Sequence, residues 1–217
     1  MVDRLNDPLM GIQEAARHLE IPSRTLSRWT GECAAGAPLV HSVPPLHRGG
    51  PALPFVAVVE SYVIRSLREL GLPLPKIREA ATAVREEFGT PYGLATQRIA
   101  TDGVDIFTEI QGGELVRVHD RQQPFREVIE DYLRYVHWPA GDQFPDRLRL
   151  RQYPDVAPVI IDPRFGWGSP VVEQNRVQVD AIVGMWRAGE SLETVAEEYG
   201  LTRDQVEAVC QHAPAAA

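Results

Sequence analysis

The feature that most constrains this chain is a pair of short apolar repeats separated by a three-residue break near the N-terminus. In Gly11-Ile-Gln-Glu-Ala-Ala-Arg-His-Leu-Glu-Ile-Pro-Ser-Arg-Thr-Leu-Ser-Arg-Trp29, Ile12, Ala15, Ala16 and Leu19 recur at helical spacing. Glu20 to Pro22 interrupts them, and Ser23 is placed to cap a second helix that turns Leu26 and Trp29 inward. Two helices joined by so tight a turn form a helix-turn-helix. Ala15 and Ala16 are small enough for the second helix to cross closely over the first. With Leu26 and Trp29 committed to the core, Arg24, Thr25, Ser27 and Arg28 fall on the outer face. Together with Ser23 at the helix start, they are the candidate DNA-binding residues, since such side chains read base edges and phosphates.

Residues 31–53 are rich in Gly, Pro and Ala, with Leu39-Val40 and Val43 set between turn signals such as Arg48-Gly-Gly-Pro51; they read as a loop or a small β-wing. Phe55, Val58, Val59, Tyr62, Val63, Leu67 and Leu70 then predict a four-turn helix stopped by Gly71 and Pro73, and a further helix from about Pro75 to Phe88 ends at Gly89. Between Arg98 and Val118 the period changes to two, and Val104, Ile106 and Ile110 around Gln111-Gly-Gly-Glu114, followed by Leu115 and Arg117, predict a β-hairpin. A helix from Pro124 to His137, an alternating strand Arg147-Leu-Arg-Leu-Arg151 and a short strand Val159-Ile-Ile161 follow. Ser169 to Val179 reads as strand, turn and strand. Three helices close the chain, the last capped by Thr202 with Gln205 three residues on, a capping box.

The fold class expected is therefore mainly α with small β elements, an α+β chain. Its blocks are a winged helix-turn-helix over residues 1–95, a central hairpin, small sheet and helix over 96–157, and a three-helix, helix-turn-helix-like domain over 158–212. The 217 residues and an apolar content of 44% suffice for compact domains. The longest uncharged apolar stretch, Leu53 to Val59, is far shorter than the roughly 18 residues of a membrane span. Met1-Val-Asp-Arg-Leu-Asn-Asp lacks the pattern of a secretory signal, so a cytoplasmic location is expected. Cys33 and Cys210 give neither a disulfide framework nor a thiolate cluster, and Cys33 with His41 and His47 does not match a structural zinc spacing, so no metal and no cofactor are expected.

The net charge is −8, which looks unfavourable for nucleic-acid binding. Its distribution says otherwise. Residues 1–90 carry ten basic and ten acidic side chains, so the whole excess lies in the second part. From Val177 onward two arginines face seven carboxylates. Acidic side chains repel phosphate, so the second helix-turn-helix shape, with Arg203, Asp204 and Glu207 outward, is expected to serve dimerisation or partner binding.

These residues carry a resemblance. The stretch Gly11 to Phe88, with Glu14-Ala-Ala, Ile21-Pro-Ser-Arg-Thr-Leu-Ser-Arg-Trp29 and Leu67-Arg-Glu-Leu-Gly-Leu-Pro-Leu-Pro-Lys-Ile-Arg78, resembles the DNA-binding half of MerR-type regulators. Val159 to Val209 is similar to a domain found in bacterial antitoxins, through Ile161-Asp-Pro, Gly168-Ser-Pro-Val-Val, Arg176-Val-Gln-Val-Asp-Ala-Ile and Ala188-Gly-Glu-Ser-Leu-Glu-Thr-Val-Ala-Glu-Glu-Tyr-Gly-Leu-Thr-Arg-Asp-Gln-Val206. In this order the two resemble a VapB-type antitoxin. Where that family carries Gly-Thr-Arg before its last strand, this chain has Gln174-Asn175-Arg176, and Asn tolerates left-handed backbone angles.

The resemblance implies an antitoxin that neutralises a PIN-domain ribonuclease toxin and binds operator double-stranded DNA as a homodimeric autorepressor. A stand-alone helix-turn-helix regulator with a sensing or dimerising C-terminal domain is the alternative. Arg147, Arg149 and Arg151 on one face of a strand are candidate toxin-binding residues, because guanidiniums grip carboxylates; pairing with Asp142, Asp146 and Asp155 is the competing reading. Trp29, Trp138 and Trp186 read as core or interface anchors. No nucleophile elbow, phosphate loop, dinucleotide fingerprint or His-Glu-x-x-His motif occurs, so no catalytic residues are expected and the chain is not expected to be an enzyme.

Overall fold

The computed structural model describes residues 2–31, 37–100, 102–111, 115–118 and 121–214. The chain divides into two compact units, Asp3–Asp146 and Arg147–Ala217, the latter with Met1–Val2.

The first unit opens with α1 (Ile12–His18) and α2 (Ser23–Thr30), the expected helix pair. Residues 37–53 form the loop alternative of the two readings. They contain turns but no strand, and are tied down by Val43 N–H to Ala52 O and by an isolated bridge between Met10 and Leu53. Next comes α3 (Phe55–Glu69), the centre of this unit. It was expected to bury one stripe, yet Phe55 to Ile64 are all buried, as are Ser66 and Leu67. A helix buried on every side must satisfy its polar side chains internally. Ser61 Oγ donates to Ala57 O (2.7 Å) and Ser66 Oγ to Tyr62 O (2.9 Å). α4 (Leu74–Phe88) starts with Pro75 in its first turn and ends at Gly89 in the left-handed conformation, with φ 64°.

The stretch expected to form the first arm of a hairpin is instead helical, α5 (Asp102–Gln111). Gly103 and Phe107 are buried four residues apart, and Asp102 and Asp105 place negative charge in the first turn, where the helix dipole favours it. The alternation of Val104, Ile106 and Ile110 therefore misled. Gly112 to Glu114, expected as the hairpin turn, lie outside the described residues. The hairpin itself falls one segment later: β1 (Leu115–Val118) pairs antiparallel with β2 (Arg121–Pro124), Leu115 opposite Pro124 and Val118 opposite Arg121. β2 reads Arg-Gln-Gln-Pro and has no apolar alternation to reveal it. α6 (Phe125–Leu133) buries Ile129 and Leu133 and is followed by the two-residue β3 (Val136–His137).

In the second unit β4 (Arg147–Arg149), β5 (Val159–Ile161) and β6 (Val171–Val172) lie in that order, antiparallel, with Leu148 opposite Ile161 and Val159 opposite Val172. All three residues of β5 are buried. The turn after β6 survives the loss of the family glycine in an unexpected way. Arg176, not Asn175, takes the left-handed conformation (φ 64°). Asn175 instead supplies hydrogen bonds, donating to Tyr199 O (2.7 Å) and accepting from Val177 N–H (3.2 Å). α7 (Val179–Arg187), α8 (Leu192–Tyr199) and α9 (Arg203–His212) complete the unit. Ser191 caps α8, and Thr202 with Gln205 forms the expected capping box on α9. Among the described residues no helix is long and apolar enough to cross a membrane.

One buried carboxylate stands out. Glu60 on α3 is fully buried, accepts the His41 N–H (2.9 Å) and faces Arg85 at 3.5 Å. Burial pushes its pKa up to about 7, against the charge of Arg85 and the His41 hydrogen bond. A carboxyl with a raised folded-state pKa favours folding fully below the unfolded value near 4.5, and that contribution is lost as pH rises to about 7. Glu60→Gln should therefore gain stability relative to wild type by on the order of 3 kcal/mol between about pH 4 and pH 8, measured by urea unfolding. A difference that stays flat with pH contradicts a buried titrating carboxyl.

Candidate nucleic-acid interface

The geometry of α2 follows from which side chains its packing consumes. Leu26 and Trp29 are 0% and 4% exposed and close against Ala15, Ala16, Leu19 and Ile21, all buried. Leu39 and Val40 donate their N–H groups to Trp29 O, which anchors the following loop to the end of the helix. The turn between α1 and α2 is held by Arg65 of α3. Its guanidinium donates to Leu19 O, to Glu20 Oε2 (2.7 Å) and to Glu69 Oε1 (2.8 Å). Glu20 has φ 50°, a left-handed conformation that this clasp stabilises.

With the inner side sealed, Ser23, Arg24, Ser27 and Arg28 are exposed. Arg24 and Arg28 are one turn apart and so share a side of the helix. Ser23, Arg24 and Ser27 line a shallow hollow of about 410 Å³ with Ile12 and Gln13 of α1. Thr25 stands apart from that group. It is half-buried and lines a second hollow of about 290 Å³ with Glu20, Trp29, Arg65 and Arg68. Ser23 does not cap the helix as expected. Pro22 occupies the cap position, its carbonyl accepting from Thr25 and Leu26, and Ser23 is the first helical residue. The first turn carries no acidic side chain. The amide end of α2 is thus uncapped by side chains, a surface suited to an anion. Gln13 joins this face from α1, and no apolar periodicity of α2 alone would have revealed it.

The arginine row of the second unit has the expected alternation: Leu148 and Leu150 are buried, and Arg147, Arg149 and Arg151 are half-buried. Arg147 bonds Glu173 Oε1 at 2.7 Å and Arg149 bonds Asp155. Two of the carboxylates expected to meet this row are engaged elsewhere, Asp142 with Arg4 and Asp146 with His137. The outer face of α8 and α9 is acidic, as expected. Glu193, Glu197 and Glu198 are exposed, and Arg203 is spanned by Glu193 (2.8 Å) and Glu207 (2.9 Å). Trp29 is core, Trp138 donates to Ala95 O (3.0 Å), and Trp186 is 41% exposed. Trp167, which periodicity does not single out, is the most exposed large apolar side chain among the described residues. Of the three side chains weighed for zinc, His41 stacks edge-on against Tyr92, His47 lies against Gly50, and Cys33 is outside the described residues.

Residues 8–81 match the family described as "Putative DNA-binding HTH domain", and residues 159–213 match "Protein of unknown function (DUF433)". The chain is 33% identical over 224 residues to "Putative antitoxin VapB45" of Mycobacterium tuberculosis H37Rv, an alignment covering 94% of this chain and 92% of that protein. It is 26% identical over 208 residues to "Uncharacterized protein Rv2308" of the same organism, covering 89% and 85% of the two chains. The crystal structure of Rv2018 from Mycobacterium tuberculosis superimposes with a TM-score of 0.80 at 31% identity, covering 95% of this chain and 99% of that one.

The exposed arginines contribute little to folding, whereas Trp29 is core. Arg24→Ala with Arg28→Ala should leave urea-unfolding stability within about 0.5 kcal/mol of wild type, while Trp29→Ala should cost about 3–5 kcal/mol. Equal destabilisation by both would contradict the assignment of inner and outer faces.

Proposed function

The chain belongs to the family of VapB-type antitoxins, and we propose that it neutralises a PIN-domain ribonuclease toxin and represses its own operon by binding operator DNA as a homodimer. The observation that carries the DNA reading is the outer face of α2. Four polar side chains, two of them arginines, are exposed there on a helix whose opposite side is sealed by Leu26 and Trp29. Arg24 and Arg28 are assigned to guanine edges or phosphates, Ser23 and Ser27 to phosphates, and Thr25 to the flank of the interface. Residues 1–90, which include the helix pair, carry no net charge, so one copy would bind weakly. Two recognition helices about 34 Å apart, related by a two-fold axis, give the second set of interactions.

Toxin binding is assigned to the second unit. Its acidic helices are unsuited to DNA, and the relative named as an antitoxin aligns over 94% of the chain. Arg147, Arg149 and Arg151 take part if the toxin's carboxylates replace their internal partners. Recognition here is by binding alone, with no covalent step assigned to the chain.

Gel shift with the DNA upstream of the chain's own operon tests the repressor role. Wild type should retard it, and Arg24→Ala with Arg28→Ala should abolish retardation or lower the salt-dependence slope by about 1 for each phosphate no longer neutralised. No retardation by wild type sinks the operator assignment. For the antitoxin role, co-expression with the product of the adjacent reading frame should yield a stable co-purifying complex that suppresses its ribonuclease activity. Free, active nuclease in the presence of excess chain contradicts it.

A further inference from the structure

The turn that aims α2 carries a residue type its backbone does not favour. α1 is capped by Leu19 and ends in a Schellman motif, in which Glu20 N–H donates to Arg17 O (3.2 Å) and Ile21 N–H to Ala16 O (2.8 Å). The residue after the cap in that motif is left-handed and usually glycine; here it is Glu20, at φ 50°. A residue with a side chain keeps that conformation only where its surroundings impose it. Arg65 imposes it from α3. Its guanidinium donates to Glu20 Oε2 (2.7 Å) and to Leu19 O, the carbonyl just before the strained residue, and is itself fixed by Glu69 Oε1 (2.8 Å).

The two ends of α2 are held unequally. At the C-terminal end, Leu39 and Val40 donate their N–H groups to Trp29 O (2.8 and 2.9 Å), and Trp29 is core. At the N-terminal end no side chain caps the helix. On the side of α2 toward α3, packing leaves a hollow of about 290 Å³, lined by Thr25 and Trp29 of the one helix and by Arg65 and Arg68 of the other. The end that carries Ser23 and Arg24 therefore takes its place from the turn, and the turn takes its shape from one guanidinium. The Glu20 carboxylate is half-exposed. An ion pair of that kind adds little to global stability, so the clasp can be removed from a chain that still folds.

We propose that Arg65 is a positioning residue for operator recognition: by holding Glu20 in the left-handed turn it fixes how the first turn of α2 presents Ser23, Arg24 and Ser27, and so sets how well the chain discriminates its operator from other DNA. The inference rests on the operator-binding reading above and adds to it a residue that acts without touching DNA.

The test measures binding of the full chain, by fluorescence anisotropy, to the duplex upstream of its own operon and to a shuffled duplex of equal length. Arg65→Met should weaken binding to the upstream duplex about tenfold or more, the scale of one misread base pair, and change binding to the shuffled duplex by less than about twofold. Adding Glu20→Gly, which adopts a left-handed turn without a clasp, should recover most of the loss. Glu20→Ala alone removes the carboxylate and keeps the backbone strain; it should also lose discrimination, and it decides the matter if Arg65→Met does not fold. A wild-type ratio of the two affinities in a folded Arg65→Met or Glu20→Ala variant overturns the proposal and leaves the operator reading standing. So does a loss that Glu20→Gly fails to recover. A loss shared equally by both duplexes, with the salt-dependence slope lower by about 1, overturns it too, since Arg65 then meets a phosphate itself. If wild type binds the two duplexes alike, the operator reading fails and this inference with it.

Discussion

The DNA-facing unit depends on the burial of α3. Nearly every residue from Phe55 to Leu67 is removed from water, so this helix is a post against which the other elements of the unit set their positions. Arg65, one of its few half-exposed residues, ties the α1–α2 turn to it through Leu19 O and Glu20. Arg85, from α4, faces Glu60 on the same post and also donates to Pro38 O (3.0 Å) and Leu39 O (2.7 Å). The outer face of α2, proposed to meet DNA, is therefore placed by interactions that do not involve the side chains of Ser23, Arg24, Thr25, Ser27 or Arg28. Exposed arginines on a helix position themselves poorly; a buried helix behind them supplies the rigidity that readout needs.

Charge separates the proposed partners more clearly than fold does. Both units contain helix-turn-helix shapes, but the first presents Arg24 and Arg28 with no acid in the first turn of α2. The second sets Arg203, at the start of α9, between Glu193 and Glu207. The same backbone motif can thus serve two kinds of partner, and the sign of a few side chains decides which. On the second unit Arg164 and Arg176 lie over the Phe165 ring, with Arg164 paired to the buried Asp162.

Much of this was legible in the residues. The helix pair, the break at Glu20 to Pro22, the inward Leu26 and Trp29, and the Thr202–Gln205 capping box all follow from local spacing and capping chemistry. What sequence reasoning missed had non-local causes. α5 imitates a strand because a short apolar run has no decisive period, and burial of Gly103 and Phe107 settled it. β2 is polar and takes its place only by pairing with β1. Ser23 lost the cap to Pro22, whose carbonyl already accepts the first helical bonds. The all-round burial of α3 hid behind Glu60, Ser61 and Ser66, polar residues that read as a solvent face until their internal partners are seen. Trp167 escaped notice because its exposure is set by the backbone of its turn, which no periodicity encodes.

The central claim is that α2, held by α3, reads DNA in pairs. Footprinting of the full chain on the DNA upstream of its own operon tests it most directly. Two protected half-sites with inverted sequence are expected, their centres about 10 base pairs or a multiple of that apart, both vanishing together when Arg24 and Arg28 are replaced by alanine. A single unpaired footprint, or protection that survives the double substitution, would contradict it.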